Sequence, residues 1–172
     1  MRQPVSRKVA LFVSLVVMGL VTAAYCERES AVVVSVKDGD TLRIIFRGRS
    51  ELIRLIGIDA PESKRNRKAY RDSARRQNDL NTIVAQGKMA SRFVRGLVKK
   101  GDRIEIEFDV ETRDRYGRLL GYVYLADGRM LNDVIIRSGY ATPLTIPPNI
   151  RYADRFLASY RYAREHNLGL WQ

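Results

Sequence analysis

The sequence predicts a small closed β-barrel with helices between and after its strands. Five short segments of strand character are separated by turn signals, and three later segments show helical spacing of apolar residues. Hydrophobic residues make up 45% of the 172-residue chain, enough for a core. A chain of this length forms one domain.

The first three strands are predicted to form an antiparallel meander over residues 31–37, 41–46 and 51–58. Their connections are short, with Asp38 and Gly39 in the first turn and Arg47 and Gly48 in the second. Residues 63–81 are highly polar and lack clear periodicity, which predicts a long basic loop.

The remaining elements follow in order. Apolar residues at helical spacing predict a helix over 82–100, and strict alternation predicts a strand over 103–110. A fifth strand is predicted over 119–125, and helices over 130–138, which Gly139 ends, and 150–166. Five strands with about three helices correspond to the five-stranded oligonucleotide-binding (OB) barrel.

The chain is strongly basic, with a formal net charge of +12 and a sequence pI near 10.2. Basic surfaces attract phosphate backbones, which favours a nucleic-acid partner. A membrane surface or another acidic polymer is the alternative that charge leaves open.

Residues 1–26 are predicted to be a signal peptide. Arg2, Arg7 and Lys8 precede an apolar run over 9–24, and small residues follow it. Cleavage after Ala24 or Cys26 leaves a domain over 27–172 and predicts a secreted or periplasmic protein. The alternative is a membrane-anchored protein with an uncleaved N-terminal segment; without that anchor, no stable membrane association is expected.

The cysteine and histidine content bears on whether a disulfide bond or a zinc site can form. Cys26 is the only cysteine, so an intramolecular disulfide cannot form, and His166 is the only histidine. A zinc site built from such residues is therefore not expected.

Carboxylates and arginines at strand ends are the candidate functional residues. Asp59 and Glu62 flank Pro61, and the Ala60 carbonyl provides a further hard oxygen, a donor type that suits Ca²⁺ or Mg²⁺. Arg54 lies on a largely apolar strand and needs an anion, either an internal carboxylate or a substrate phosphate. For Asp59 and Glu62, a simple capped turn is the competing interpretation.

Two further segments carry candidates. Asp40 lies in the first turn, where aspartate is common for conformational reasons alone. Residues 114–118 (Asp-Arg-Tyr-Gly-Arg) join two strands and contain two guanidinium groups beside a glycine, which suits phosphate binding. The basic residues of 64–76 are most simply a solvated loop; the alternative is that they steer a polyanion toward Glu62.

Taken together, these segments resemble the staphylococcal nuclease family. The match depends on Asp-Gly-Asp-Thr at 38–41, Arg54, Ile-Asp-Ala-Pro-Glu at 58–62 and the 114–118 segment, in this order. The resemblance implies an OB-fold nuclease that cleaves DNA and RNA with Ca²⁺ and leaves 3′-phosphate ends. It also implies a monomer that acts on DNA and RNA as substrates.

The resemblance assigns a role to each residue. Asp40, Asp59 and the Ala60 carbonyl correspond to the metal site. Arg54 and Arg118 correspond to the arginines that clamp the phosphate, and Glu62 to the proposed general base. Arg115 and Tyr116 are candidate phosphate contacts.

The sequence departs from the family pattern at two places. Residues 144–146 are Leu-Thr-Ile, where the family has nucleotide-stacking tyrosines, and the segment after Glu62 is longer. Two other functions stay open at this point: a non-catalytic OB-fold nucleic-acid-binding protein of the cell envelope, and a cationic envelope protein that binds anionic lipid or polymer.

Overall fold

The computed structural model describes residues 27–76 and 79–172. The predicted signal peptide, residues 1–26, lies outside this part of the chain. The described strands are β1 (Glu29–Asp38), β2 (Thr41–Phe46), β3 (Arg49–Leu55), β4 (Gly57–Asp59), β5 (Arg103–Glu107), β6 (Leu119–Tyr124) and β7 (Thr142–Leu144). The helices are α1 (Arg67–Arg76), α2 (Leu80–Leu97), α3 (Leu131–Arg137) and α4 (Ala153–Glu165), and a 3₁₀ turn spans Gly169–Trp171.

Five strands close into a barrel in the order β1-β2-β3-β6-β5, which confirms the predicted OB-type fold. β3 and β6 pair in parallel, and the other neighbours pair antiparallel. Thr41 lies opposite Arg54 in the β2–β3 register, so the first turn and the polar end of β3 come together at one end of the barrel.

The interior is filled by β-branched and aliphatic side chains from all five barrel strands. Leu42, Ile44, Ile53, Leu55 and Ile106 have no exposed surface. Alternation of apolar residues along each strand places these side chains on the inner face, where their burial supplies most of the stabilisation. α2 packs against β1, and α3 packs against α4 and β6.

The third predicted strand, 51–58, is divided in the structure. β3 ends at Leu55, the backbone turns at Ile56, and Gly57 takes a φ of +79° that favours glycine. The short β4 that follows pairs with β7, an element without a sequence prediction. The turn redirects the chain so that Asp59 lies beside the end of β3 rather than beyond it.

The predicted loop over 63–81 is wrong for much of its length, because α1 occupies Arg67–Arg76. The Asn66 side chain caps this helix by accepting a hydrogen bond from the Ala69 amide at 2.9 Å. Ala69 is fully buried, and α1 packs against α2. A helix that buries a small alanine instead of a stripe of large apolar residues leaves little periodicity to detect.

Strand β5 departs from the predicted alternation at Glu107. Its side chain is buried and accepts hydrogen bonds from the hydroxyls of Tyr124 (2.7 Å) and Tyr152 (2.9 Å), and from Arg151 (2.6 Å). This cluster connects the start of α4 to the barrel wall, which sequence periodicity cannot indicate.

Across the described ranges, every helix is too short or too polar to cross a lipid bilayer.

Candidate active site

Three chain segments meet at the end of the barrel where β3 stops. The first turn brings Asp40, β3 brings Arg54, and the end of β4 with the residues that follow it brings Asp59, Ala60 and Glu62. Glycine at position 39 allows this approach, because a Cβ there would lie 2.7 Å from that of Ala60 and 3.0 Å from that of Ala90. The predicted acidic residues are thus collected into one cluster.

Asp40 is buried, and both of its carboxylate oxygens accept hydrogen bonds. One carboxylate oxygen accepts a hydrogen bond from the Thr41 hydroxyl at 3.0 Å, and the other accepts one from the Ala60 amide at 3.1 Å. Arg54 forms an ion pair with the second oxygen. The Asp40 carboxylate therefore fixes the position of the Ala60 peptide 20 residues later.

Arg54 projects from β3 into this cluster, as its sequence position predicts. Its guanidinium donates to the Ile58 carbonyl at 3.0 Å and to the Asp59 carboxylate at 3.4 Å. Burial lowers the pKa of Arg54 to about 10, and the opposing effect of Asp59 keeps it from falling further. The guanidinium is still charged at neutral pH, and its anions in this structure are internal carboxylates.

Lys68, on α1, places its ammonium group among the oxygens of the acidic segment. The Nζ atom lies 2.9 Å from an Asp59 carboxylate oxygen, 3.0 Å from a Glu62 carboxylate oxygen and 3.0 Å from the Ala60 carbonyl oxygen. We call these three oxygens, together with the Asp40 carboxylate, the oxygen cage. Lys68 was predicted only as part of a solvated basic loop, so this contact is a correction.

Glu62 is held from two sides. Lys68 contacts one carboxylate oxygen, and the Asn66 side-chain amide donates to the other at 2.7 Å. Nearby, burial and the negative charge of Glu62 raise the pKa of Asp38, which accepts hydrogen bonds from the Gly39 amide and the Ser91 hydroxyl. The negative charge is dense enough that neighbouring carboxylates affect one another.

The oxygen cage suits a hard cation, provided that other ligands complete it. In the part of the chain that the structure describes, no three acidic, histidine or cysteine side chains lie close enough to hold a metal ion by themselves. Carboxylate and backbone carbonyl oxygens are nevertheless the donor types that Ca²⁺ prefers. The Lys68 ammonium shows that this position already attracts a positive charge.

The 114–118 segment forms a hairpin loop beside the cluster. Arg118 donates to the Asp114 carboxylate at 2.7 Å, while the Arg115 guanidinium stacks on the Tyr116 ring and donates to its hydroxyl at 2.7 Å. Tyr116 is 70% exposed. Arg115 and Tyr116 are exposed and accessible to a ligand, whereas the paired side chains of Arg118 and Asp114 are partly buried.

A groove of about 770 Å³ runs from the cluster past this hairpin. Arg54 and Arg118 both line it, together with Tyr116, Leu144 and Ile146. Leu144 and Ile146 are 38% and 60% exposed, so aliphatic surface occupies the groove wall where aromatic stacking residues are expected. The groove offers two guanidinium groups for phosphate and an apolar wall for a base or sugar.

Sequence reasoning missed Lys68, Asn66 and Thr142, whose hydroxyl donates to the Asp59 carbonyl at 3.4 Å. The only usable signal was Asn66 three residues before Ala69, a typical helix N-cap arrangement. Nothing in the basic segment distinguishes Lys68 from its neighbours, because the contact depends on how α1 folds back over the cluster.

Comparisons of the sequence with known proteins give a family match and several relatives. The family model described as staphylococcal nuclease homologue matches residues 52–172. The chain is 34% identical over 145 residues to a thermonuclease of Staphylococcus intermedius, covering 84% of this chain and 77% of the relative. A thermonuclease of Staphylococcus hyicus is 30% identical over 140 residues, covering 81% of this chain and 73% of the relative.

A third relative is longer than this chain. Endonuclease YncB of Bacillus subtilis is 31% identical over 136 residues, which is 78% of this chain and 57% of that protein. The alignment therefore leaves a large part of the Bacillus protein without a counterpart.

Proposed function

The chain belongs to the staphylococcal nuclease family, and from this we propose that it is an exported, Ca²⁺-dependent endonuclease. It hydrolyses phosphodiester bonds of DNA and RNA and leaves 3′-phosphate ends. The observation that carries the proposal is the convergence of Asp59, the Ala60 carbonyl and Glu62 on one ammonium group. Asp40 is joined to the same segment through the Ala60 amide, and Arg54 contacts both Asp40 and Asp59.

The metal site would consist of Asp40, Asp59 and the Ala60 carbonyl. When bound, Ca²⁺ supplies positive charge that polarises the phosphoryl oxygen and stabilises the charge that develops in the transition state. Few protein ligands leave room for water and substrate, so a modest metal affinity is expected.

The arginines would neutralise the phosphodiester. Arg54 is prepositioned by the Ile58 carbonyl and can exchange its carboxylate partners for phosphate oxygens, while Arg118 lines the same groove. Both guanidiniums bind oxyanions through parallel hydrogen bonds and favour the additional charge of a pentacovalent transition state. Arg115 and Tyr116 would contact the next phosphate along the strand.

Glu62 would orient the attacking water and accept its proton. One of its carboxylate oxygens belongs to the cage, and the other accepts a hydrogen bond from Asn66, which fixes the direction of the carboxylate. A general base positioned in this way contributes about 10²–10⁴-fold to the rate. The phosphorus–5′-oxygen bond would break on the side opposite to the water as the bond to the water oxygen forms, and the leaving 5′-oxygen would take up a proton from solvent.

The test is degradation of plasmid DNA and of RNA by the purified protein. Cleavage is expected with Ca²⁺ and is expected to stop when a chelator is added; 3′-phosphate ends are checked by labelling before and after phosphatase treatment. Cleavage that persists in the chelator would contradict the metal-dependent mechanism, and no cleavage under any condition would favour a non-catalytic nucleic-acid-binding module.

The proposed export is based on the predicted signal peptide at residues 1–26. N-terminal sequencing of the protein released by cells is expected to give a start near Tyr25 or Glu27. An intact Met1 in a membrane fraction would instead support the anchored form.

A further inference from the structure

Lys68 occupies the place where the proposed function needs a metal ion. Its ammonium contacts three oxygens of the cage at 2.9–3.0 Å, two of them from residues assigned to the metal (Asp59 and Ala60) and one from Glu62. We propose that Lys68 is a tethered cation that competes with Ca²⁺ for the oxygen cage. The inference depends on the proposed function and adds a control of the same site.

The burial of Lys68 supports competition rather than a loose surface contact. Its side chain is 26% exposed, and those of Asp59 and Glu62 are 18% and 17% exposed. Ion pairs shielded from water in this way are weakened less by solvent than surface pairs are. A divalent cation and this ammonium group cannot share the same oxygens, because like charges at that separation repel strongly.

The contact also connects the cage to helix α1. Lys68 lies in the first turn of α1, directly after the Asn66 cap that binds Glu62. Release of the ammonium therefore removes the contact of Lys68 with the cluster, while the hydrogen bond from Asn66 to Glu62 remains. In the absence of metal, Lys68 keeps the carboxylates together and holds the site in its assembled form.

The experiment measures Ca²⁺ binding by isothermal titration calorimetry, without substrate, for the wild type, Lys68→Met and Lys68→Arg. Lys68→Met is expected to bind Ca²⁺ about tenfold or more tightly, because one positive charge leaves the cage. Lys68→Arg retains the charge and is expected to bind with an affinity close to that of the wild type.

The matched control is Arg71→Met, which removes the same charge from the same helix at a position one turn further from the Asn66 cap. It is expected to change the Ca²⁺ affinity much less than Lys68→Met does. If Lys68→Met misfolds, as judged by thermal unfolding in chelator, Lys68→Gln takes its place.

Equal or weaker Ca²⁺ affinity in Lys68→Met than in Arg71→Met would overturn the competition while leaving a Ca²⁺-dependent wild-type nuclease intact. Failure of every variant and of the wild type to bind Ca²⁺ would overturn the proposed function as well. The two failures are thus distinguishable.

A second inference depends on a different observation, a basic cleft between α1 and the hairpin at 114–118. The cleft has a volume of about 650 Å³. Its walls are formed by Asn66, Arg67, Lys68 and Arg71 on one side and by Arg115 and Tyr116 on the other. Arg115 and Tyr116 also line the groove at the cluster, so the groove and the cleft are continuous.

We infer that this cleft binds the phosphates of a single strand beyond the scissile bond. Cations on both walls suit a polyanion, and the exposed Tyr116 ring at the junction offers a surface on which a base can stack. The inference assumes the proposed nuclease activity and identifies the substrate as a strand several nucleotides long.

The test compares cleavage of a 20-nucleotide strand and of a short oligonucleotide by the double variant Arg67→Ala/Arg71→Ala. KM for the long strand is expected to rise several times more than KM for the short one. The dependence of log affinity on log salt concentration is expected to weaken by roughly 1.4, since each phosphate that the variant no longer neutralises accounts for about 0.7.

The control is Arg92→Ala/Arg95→Ala, which removes the same charge from exposed positions on α2. It is expected to leave the ratio of the two KM values unchanged. An equal change in this ratio in both double variants would show a general charge effect and overturn the cleft as a binding site, while the cleavage itself would still support the proposed function.

Discussion

Glu62 is contacted by Lys68 and Asn66, so a substitution that keeps its shape can test whether its carboxylate accepts a proton. Glutamine has the same shape and can still bond to Asn66, but it cannot accept a proton from water. We expect Glu62→Gln to lower the single-turnover cleavage rate by about 10²–10⁴-fold. DNA affinity, measured by fluorescence anisotropy in Ca²⁺, is expected to be retained.

The control for this prediction is Glu165→Gln, which removes an exposed carboxylate at the end of α4. A non-catalytic binding protein would show the same behaviour in both variants. Loss of DNA affinity together with turnover would instead indicate that Glu62 is needed to assemble the site.

Gly57 is required for a steric reason that its neighbours make clear. It has a φ of +79°, and a Cβ at this position would overlap the ring of Phe156 on α4. Gly48 has a similar φ of +75° but has no atom within 4 Å of the same position. Comparison of the two therefore separates the cost of the backbone conformation from the cost of the clash.

We expect Gly48→Ala to lower the free energy of unfolding by roughly 1 kcal/mol, since only φ is unfavourable. Gly57→Ala is expected to cost about 1–3 kcal/mol more, because Phe156 must also move. Urea unfolding of both variants tests this. Equal losses of unfolding free energy would show that α4 accommodates the added methyl group without destabilising the protein.

Helix α2 and the segment that carries Glu62 are in direct backbone contact through Gly87. A Cβ on Gly87 would overlap the Glu62 carbonyl group. We expect the added methyl group in Gly87→Ala to push this segment away from the helix. The cleavage rate, measured well below the melting temperature of the variant, is expected to fall by more than the fraction of unfolded protein can explain.

Gly96 on the same helix provides the comparison, because nothing lies within 4 Å of a Cβ there. Gly96→Ala is expected to raise the free energy of unfolding by about 0.5–1 kcal/mol and to leave cleavage unchanged, since alanine is the better helix former. Normal cleavage by Gly87→Ala would contradict the idea that α2 positions Glu62.

Comparison of the predicted with the observed helices and strands shows which elements the sequence pattern specifies. Strand β2 has the predicted bounds, and β1, β5, β6, α2, α3 and α4 differ from prediction mainly at their ends, because apolar periodicity and turn residues specify them locally. Helix α1 and the β4–β7 pair were not predicted. Helix α1 packs against α2, the next element in the chain, and its Lys68 contacts Asp59 and Glu62, while β4 pairs with β7, more than 80 residues away. These contacts are tertiary, so the local sequence pattern does not indicate them.

At the scale of the whole molecule, the Glu107 cluster makes stability depend on pH. Burial alone would raise the pKa of Glu107, but hydrogen bonds from Tyr124, Arg151 and Tyr152 outweigh it and hold the pKa below its usual value. A carboxylate of this kind adds stability above the unfolded-state pKa of about 4.3, and this is lost as pH falls through the lower folded-state pKa.

We therefore expect the wild type to be more stable than Glu107→Gln at pH 7 and this difference to shrink at pH 3, as measured by urea unfolding. Glu105→Gln, on an exposed position of the same strand, is the control and is expected to change stability little at either pH. A difference that stays constant with pH would show that Glu107 contributes by packing rather than by its charge.

Buried tyrosines make the stability of the protein depend on pH in the alkaline range as well. Burial first, and hydrogen bonding to carboxylates second, raise the pKa of Tyr122 and Tyr124 above the ordinary value of a phenol. Groups with a raised folded-state pKa stabilise the protein below their unfolded-state pKa, and this stabilisation is lost as pH rises above about 10. A melting temperature that stays constant from pH 9 to pH 11 would contradict this expectation.

The sequence by itself determined the barrel, because strand periodicity and turn residues act over a few neighbouring positions. It also identified Asp40, Arg54, Asp59, Ala60, Glu62 and Arg118 as candidates, and the structure places the first five in one cluster and Arg118 on the adjoining groove. Only the tertiary structure decided that Lys68 enters the oxygen cage and that α1 forms a wall of a basic cleft. These contacts join segments that are brought together only by the packing of the whole fold. Because that packing places several carboxylates close together, they attract the ammonium group of Lys68.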